Sequence, residues 1–148
     1  MDEDCKQFLM KEVEIIQSTI NRMASTSFLI KGWTITLVVG ILLLNNWNSN
    51  ETQTMESVKM QILIAFVPIG LFWILDSYFL RQERLYRKLY DWVIENRPEK
   101  DDHLLSLNTD RFKKQVPIQS IPFSSTFRLF YGGILVPVLL YTAYLYFG

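Results

Sequence analysis

This chain of 148 residues contains one cysteine and one histidine, and its formal net charge is zero. The one cysteine, Cys5, excludes a disulfide framework within the chain. The one histidine, His103, has no metal-ligand or nucleophile spacing around it, so we predict no enzyme, no metal site and no cofactor. Basic and acidic residues number 15 each, and this balance gives no reason to expect a duplex nucleic-acid partner.

We also expect no signal peptide, because the sequence starts with acidic residues and its first long apolar run begins only near Phe28. Apolar residues are abundant at 49%, and they are clustered. A helix needs about 20 apolar residues to cross a bilayer. We therefore predict one all-α membrane domain with three transmembrane helices, at 28–45, 61–80 and 129–147.

The first span continues a helix that starts in water. Apolar residues of the predicted cytoplasmic helix 4–27 recur at steps of 4, 3, 4 and 3, and they are Leu9, Val13, Ile16, Ile20 and Met23. The same register runs on through Leu37 to Leu44, which predicts one continuous helix. This seam packs either on another helix of the same subunit or between the subunits of a homo-oligomer.

The second span also extends beyond the membrane. No break signal separates the apolar run 61–80 from a cytoplasmic helix predicted at 81–96, which ends before Pro98. A polar outer loop is predicted at 46–59. The cytoplasmic stretch 97–125 is irregular, and a connection of this length is either a functional loop or disordered.

The distribution of lysine and arginine predicts the orientation. Four of these residues lie at or before Lys31, ten lie between Arg81 and Arg128, and only Lys59 lies in or beside the outer loop. Three spans with the N-terminus inside and the C-terminus outside place fourteen of fifteen cations in the cytoplasm, as the positive-inside rule requires.

Lys31 and Asp76 are the two charges inside the apolar stretches. Counted inward from the outer ends of antiparallel helices, they differ in depth by only ~2 Å. An unpaired charge in lipid is costly, so we predict an intramembrane ion pair, within a subunit or between subunits. Arg81 and Arg128 are rival partners for Asp76, and separate snorkelling of both charges to the interface is the alternative.

A second group of charges lies near the base of the second helix. Arg81, Arg84 and Lys88 share one stripe, and Arg22 and Arg87 are placed to join them. These residues are a candidate site for anionic lipid heads or for an anionic signal such as a nucleotide. No glycine-rich phosphate loop accompanies them.

Two motifs carry a resemblance to known proteins. They are RMASTSFLIKGW at 22–33 and WILDSYFLRQERLYRKLY at 73–90, accompanied by Phe123-Ser124 and Phe130-Tyr131. With them, most of the chain resembles a set of small bacterial inner-membrane proteins. Some proteins of this build look like the membrane effectors of phage-defence operons, which pair a cytoplasmic enzyme or sensor with a small multispan protein that depolarises the membrane.

The resemblance implies a function that composition alone does not. We expect an oligomeric effector, multi-pass in the bacterial inner membrane with a periplasmic C-terminus, that permeabilises the membrane on a cytoplasmic signal. Its partners would be membrane lipids, further copies of the chain, and a cytoplasmic protein or nucleotide-type signal. The alternative is a non-conducting membrane anchor or scaffold for a cytoplasmic enzyme or sensor.

Overall fold

The computed structural model describes residues 3–47, 55–96, 107–122 and 124–147. They form three long helices and two short 3-10 turns: α1 (Glu3–Trp47), α2 (Met55–Asn96), the turns Asp110–Phe112 and Ile118–Ser120, and α3 (Ser125–Phe147). No strand occurs within these ranges, and the predicted all-α class is confirmed for them. His103 and half of the predicted outer loop, residues 48–54, lie outside the described residues. The other half was wrongly predicted as loop, because α1 continues to Trp47 and α2 begins at Met55.

All three helices are long and apolar enough to cross a membrane, as expected of a multi-pass membrane protein. The helices contain 45, 42 and 23 residues in chain order. At ~1.5 Å per residue and with a hydrocarbon core of ~30 Å, α3 is little longer than the core is thick. A single crossing of such a core would leave about half of α1 and half of α2 outside it, and these extensions and their cytoplasmic side stay a prediction.

The helices α1 and α2 pack as an antiparallel pair along most of their length. Ile16 and Ile20 of α1 are buried in one apolar cluster with Leu85, Leu89 and Val93 of α2. The predicted seam thus faces another helix of the same chain. Its other members are less enclosed, since Leu9 and Val13 are partly buried against the cluster and Met23 is half-buried.

The buried face of α1 no longer follows the predicted heptad register at Leu37. The sequence pattern continued to Leu37, but that side chain is 40% exposed, whereas Val38 is only 4% exposed. The buried positions Ile16, Ser27 and Val38 are spaced by eleven residues. An eleven-residue repeat has about 3.67 residues per turn, close to the value of a straight α-helix. The buried face of α1 therefore shifts from the predicted heptad position, Leu37, to the next residue, Val38.

Part of the predicted irregular connection is packed against the extramembrane part of α2. Phe112, Val116 and Ile121 are buried and join the same apolar cluster. Arg81 Nε donates a hydrogen bond to the carbonyl oxygen of Val116 at 3.1 Å. The guanidinium of Arg111 lies 4.3 Å from the centroid of the Trp92 ring. We call the described residues 107–122 the docked segment.

Candidate functional site

A buried carboxylate on α2 forms the centre of the candidate site. Asp76 is fully buried, and groups from both other helices approach its two oxygens. Lys31 Nζ on α1 lies 2.6 Å from Oδ2, and Ser27 Oγ donates a short hydrogen bond to Oδ1. Tyr131 Oη on α3 donates a longer hydrogen bond to Oδ2, at 3.4 Å. Asp76 therefore connects all three helices.

Lys31 is held at this site by more than its charge. Because Ser27 is one turn before it on α1, both side chains lie on the same face, and Lys31 Nζ donates a hydrogen bond to Ser27 Oγ at 2.7 Å. The ammonium also lies 5.5 Å from the centroid of the Phe127 ring and 5.9 Å from that of Phe130. These distances are in the range of cation–π attraction. The side chain is 17% exposed, so its charge is largely enclosed.

Tyr131 anchors α3 to the pair through its ring as well as its hydroxyl. The ring stacks on Phe127 at 5.5 Å and meets Phe130 edge-on at 5.1 Å. It also lies 6.4 Å from the ring of Trp73, which is one turn before Asp76 on α2. Tyrosine suits such a position, because it fills an apolar contact while its hydroxyl reaches a polar partner.

The pair stabilises the bundle because either charge alone would be costly in lipid. A charged side chain at the centre of a membrane helix costs about 2.5–3.5 kcal/mol on insertion scales. Lys31 and Asp76 together are neutral, and the hydroxyls of Ser27 and Tyr131 supply further hydrogen bonds to the carboxylate. The site joins the helices by electrostatic attraction between a fully buried carboxylate and a largely enclosed ammonium.

The structure brings Lys31 and Asp76 together and leaves the rival cations elsewhere. Arg81 is engaged with the carbonyl of Val116, and Arg128 is exposed at the start of α3. Sequence reasoning missed Ser27 and Tyr131 as members of this site. The spacing of four residues between Ser27 and Lys31 was a usable signal, whereas nothing in the sequence places Tyr131 opposite Asp76.

The five basic residues of the predicted anion or lipid site lie in different environments. Arg87 pairs with Glu83 at 2.7 Å, and Arg81 is directed at the docked segment. Arg87 and Lys88 line two different clefts, while Arg22 is exposed on α1 and Arg84 is half-buried. The side chains are therefore not gathered around one point.

A polar cleft lies between the extramembrane parts of α1 and α2. Its lining includes Gln17 and Asn21 from α1 and Arg87, Tyr90 and Asp91 from α2, and it has a volume of about 590 Å³. Gln17 Nε2 donates a hydrogen bond to Tyr90 Oη at 3.1 Å across one side of the cleft. Amide, guanidinium and carboxylate groups here offer both donors and acceptors to a small polar molecule or to a protein surface.

The two hydroxyls that contact Asp76 are expected to differ in importance. Ser27→Ala removes a hydrogen bond to a buried carboxylate, and such bonds to charged groups contribute about 1.5–3 kcal/mol. Tyr131→Phe removes a long hydrogen bond to the carboxylate and a hydrogen bond with Thr34 but keeps the ring, so its cost is expected to be smaller than that of Ser27→Ala. The free energy of unfolding of each variant in mixed micelles measures these two costs. Equal losses would contradict the geometry of the site.

Comparison of the chain with family models, with curated proteins and with solved structures finds no match.

Proposed function

We propose that this chain is an oligomeric effector of the bacterial inner membrane that permeabilises the membrane when a cytoplasmic signal acts on the extramembrane parts of α1 and α2. One observation carries the proposal. Lys31 and Asp76 are joined inside the bundle, and both belong to helices that continue without a break into the extramembrane pair. A movement of that pair reaches the buried charges directly, because an α-helix transmits displacement along its axis.

The ion pair is suited to act as a latch. While Lys31 and Asp76 are in contact, the three helices hold each other and the membrane stays sealed. When the helices separate, each charge loses its partner and draws in water, since an isolated charge in lipid is far more costly than a hydrated one. Separation of the latch would therefore start a water-filled defect in the membrane.

A single copy leaves little polar surface with which to line a path. The hydroxyls of Thr34, Thr36, Ser77 and Thr142 each donate to a carbonyl oxygen of their own helix. The outward faces of the spans are apolar, with Phe28 77% and Leu129 81% exposed. A conducting path would thus be assembled from several copies around the separated charges, which is why the proposal includes a homo-oligomer.

The biological setting comes from the sequence resemblance, which adds phage defence to the proposal. In that setting a cytoplasmic protein or a nucleotide-type molecule is the signal, and the extramembrane pair receives it. The orientation is part of the proposal, with the N-terminus in the cytoplasm and the C-terminus in the periplasm. A phosphatase fused after Gly148 that is active only in the periplasm should be active, and an inactive fusion would contradict this orientation.

A scaffold is the second candidate, and the docked segment favours it. Phe112, Val116 and Ile121 fix this segment on α2, next to clefts lined by polar side chains. A fixed extramembrane surface is what binding a cytoplasmic enzyme or sensor requires. In this case the ion pair only stabilises the bundle.

Dye release from liposomes separates the two functions. Ser27→Ala weakens the latch and keeps both charges, so an effector with this change should release dye faster than the wild type in the absence of a signal. Arg87→Gln is the control, because it breaks the pair between Arg87 and Glu83, which lies outside the latch. If neither protein releases dye above the rate of empty liposomes, and a cytoplasmic partner binds tightly, the scaffold is correct and the effector proposal is wrong.

A further inference from the structure

An open groove lies between α2 and α3 on the lipid-facing side of the bundle. Its volume is about 260 Å³, and its walls include Ile69 and Trp73 of α2 and Phe127, Tyr131 and Leu135 of α3. Trp73 is 39% exposed, so the groove is accessible from outside the bundle. The lining is almost entirely apolar, as the environment of a hydrocarbon chain in a membrane is.

The groove runs along the depth of the membrane. On α3 its lining extends from Phe127, near the start of the helix, to Leu135, a rise of ~12 Å. On α2 its walls, Ile69 and Trp73, are one turn apart. Pro122 of the docked segment closes the end of the groove that lies next to the start of α3. With α3 crossing the bilayer as proposed, the end next to the start of α3 faces the lipid headgroups, and the other end faces the hydrocarbon.

Arg128 supplies a positive charge at the end of the groove next to the start of α3. Arg128 lines the groove there, is exposed, and has no carboxylate partner among the described residues. Arginine binds phosphate oxygens through two parallel N–H donors. Basic residues beside pockets between membrane helices are typical of sites for anionic lipid headgroups.

A second groove adjoins the first on the other side of Trp73. It has a volume of about 310 Å³ and a mainly apolar lining that includes Ile74, Ile118 and the side chains of Ser77 and Tyr78. It shares two walls with the first groove, Trp73 and Pro122. The indole ring thus separates two neighbouring apolar channels. This arrangement matches a molecule with two hydrocarbon chains joined at one polar head.

We propose that these two grooves bind one anionic glycerophospholipid, with its phosphate on Arg128 and its acyl chains on the two sides of Trp73. Occupancy has a consequence for the helices. Trp73 and Tyr131 form the floor of the first groove, and Tyr131 donates to Asp76. The bound lipid therefore holds α3 against the ion pair.

Two adjacent glycines provide a matched test. Gly132 lines the first groove, whereas Gly133 is exposed and lines neither groove. A Cβ added at either position meets nothing within 4 Å, so the first atom of a side chain fits equally well at both. Gly132→Leu should fill the groove, and Gly133→Leu should leave it open while adding the same side chain to the same helix.

The experiment measures quenching of Trp73 fluorescence by brominated lipids in a variant that carries Trp33→Phe, Trp47→Phe and Trp92→Phe. Brominated phosphatidylglycerol is expected to bind about fivefold more tightly than brominated phosphatidylcholine, since one surface cation contributes about 1 kcal/mol. Arg128→Gln should abolish this preference, and Gly132→Leu should weaken binding of both lipids. Gly133→Leu should change neither the preference for phosphatidylglycerol nor the binding of either lipid.

Native mass spectrometry of the chain with all its tryptophans provides a second readout. Phosphatidylglycerol should stay bound to the wild type and to Gly133→Leu, and it should be lost from Gly132→Leu. Equal quenching by both lipids in the wild type, or equal retention by the two glycine variants, would overturn the proposal. Shielding of Trp73 from both lipids in a dimeric particle would show that a second copy occupies the groove, and that result would also overturn it.

Discussion

Asp76→Ala is expected to destabilise the protein by about 3–5 kcal/mol, because it leaves Lys31 largely enclosed without its counter-charge. Lys31→Ala should have a cost of the same order, since it leaves a fully buried carboxylate. The hydroxyl of Ser27 alone cannot compensate for a full charge in either case. Free energies of unfolding in mixed micelles, or by steric trapping in bicelles, measure both losses.

The double variant distinguishes an ion pair from two independent charges. Lys31→Met with Asp76→Leu removes both charges and restores apolar volume, and such replacements of buried pairs are often neutral or stabilising. The double variant should therefore be much more stable than the sum of the single losses predicts. Additive losses would show that the two charges do not interact.

A pair exposed on both sides provides the control for this cycle. Lys113 and Asp110 lie three residues apart on the docked segment, and their side chains are 55% and 66% exposed. Such pairs contribute little to stability, because water and salt screen them. Lys113→Gln should therefore change the free energy of unfolding far less than Asp76→Ala does, and an equal loss would indicate that general charge effects dominate.

Phe112→Ala is expected to detach the docked segment from α2. The ring is buried, and replacing a buried phenylalanine with alanine costs about 3–5 kcal/mol. We expect this cost to exceed the stabilisation that the other contacts of the short docked segment contribute. The loss should therefore appear as local opening of the segment and not as unfolding of the helices. Limited proteolysis and amide hydrogen exchange of residues 107–122 measure it.

Ile118→Ala is the matched control on the same segment. This side chain is 53% exposed, so its removal should change stability by less than about 0.5 kcal/mol. Protection of residues 107–122 should be unchanged in Ile118→Ala and lost in Phe112→Ala. Equal protection in both variants would mean that the segment is not held by its buried ring.

The helical framework was predictable because its signals are local. Long apolar runs, the absence of breaks between the spans and their extensions, and the buried positions Ile16 and Ile20 follow from hydropathy and periodicity. The depth match of Lys31 and Asp76 followed from counting residues along antiparallel helices. Neither inference needs more than the rise of an α-helix and the cost of a charge in lipid.

What the sequence did not reveal depends on how α3 is placed. Tyr131 reaches Asp76 only because α3 is rotated to present that face, and an apolar helix has no periodic pattern that fixes its rotation in lipid. The docked segment was missed for another reason. Phe112, Val116 and Ile121 follow neither a helical nor a strand period, so only packing against α2 shows that they belong to the core.

Solid-state NMR in lipid bilayers tests the central claim most directly, namely that Lys31 and Asp76 neutralise each other within the membrane. With nitrogen-15 in the lysine side chains and carbon-13 in the aspartate carboxyls, the contact of 2.6 Å predicts a strong dipolar coupling. The exposed Lys113–Asp110 pair gives a reference signal outside the spans. A second coupling is expected from Lys31 and Asp76, and it should disappear in Lys31→Gln. A wild-type spectrum unchanged by that substitution would contradict it.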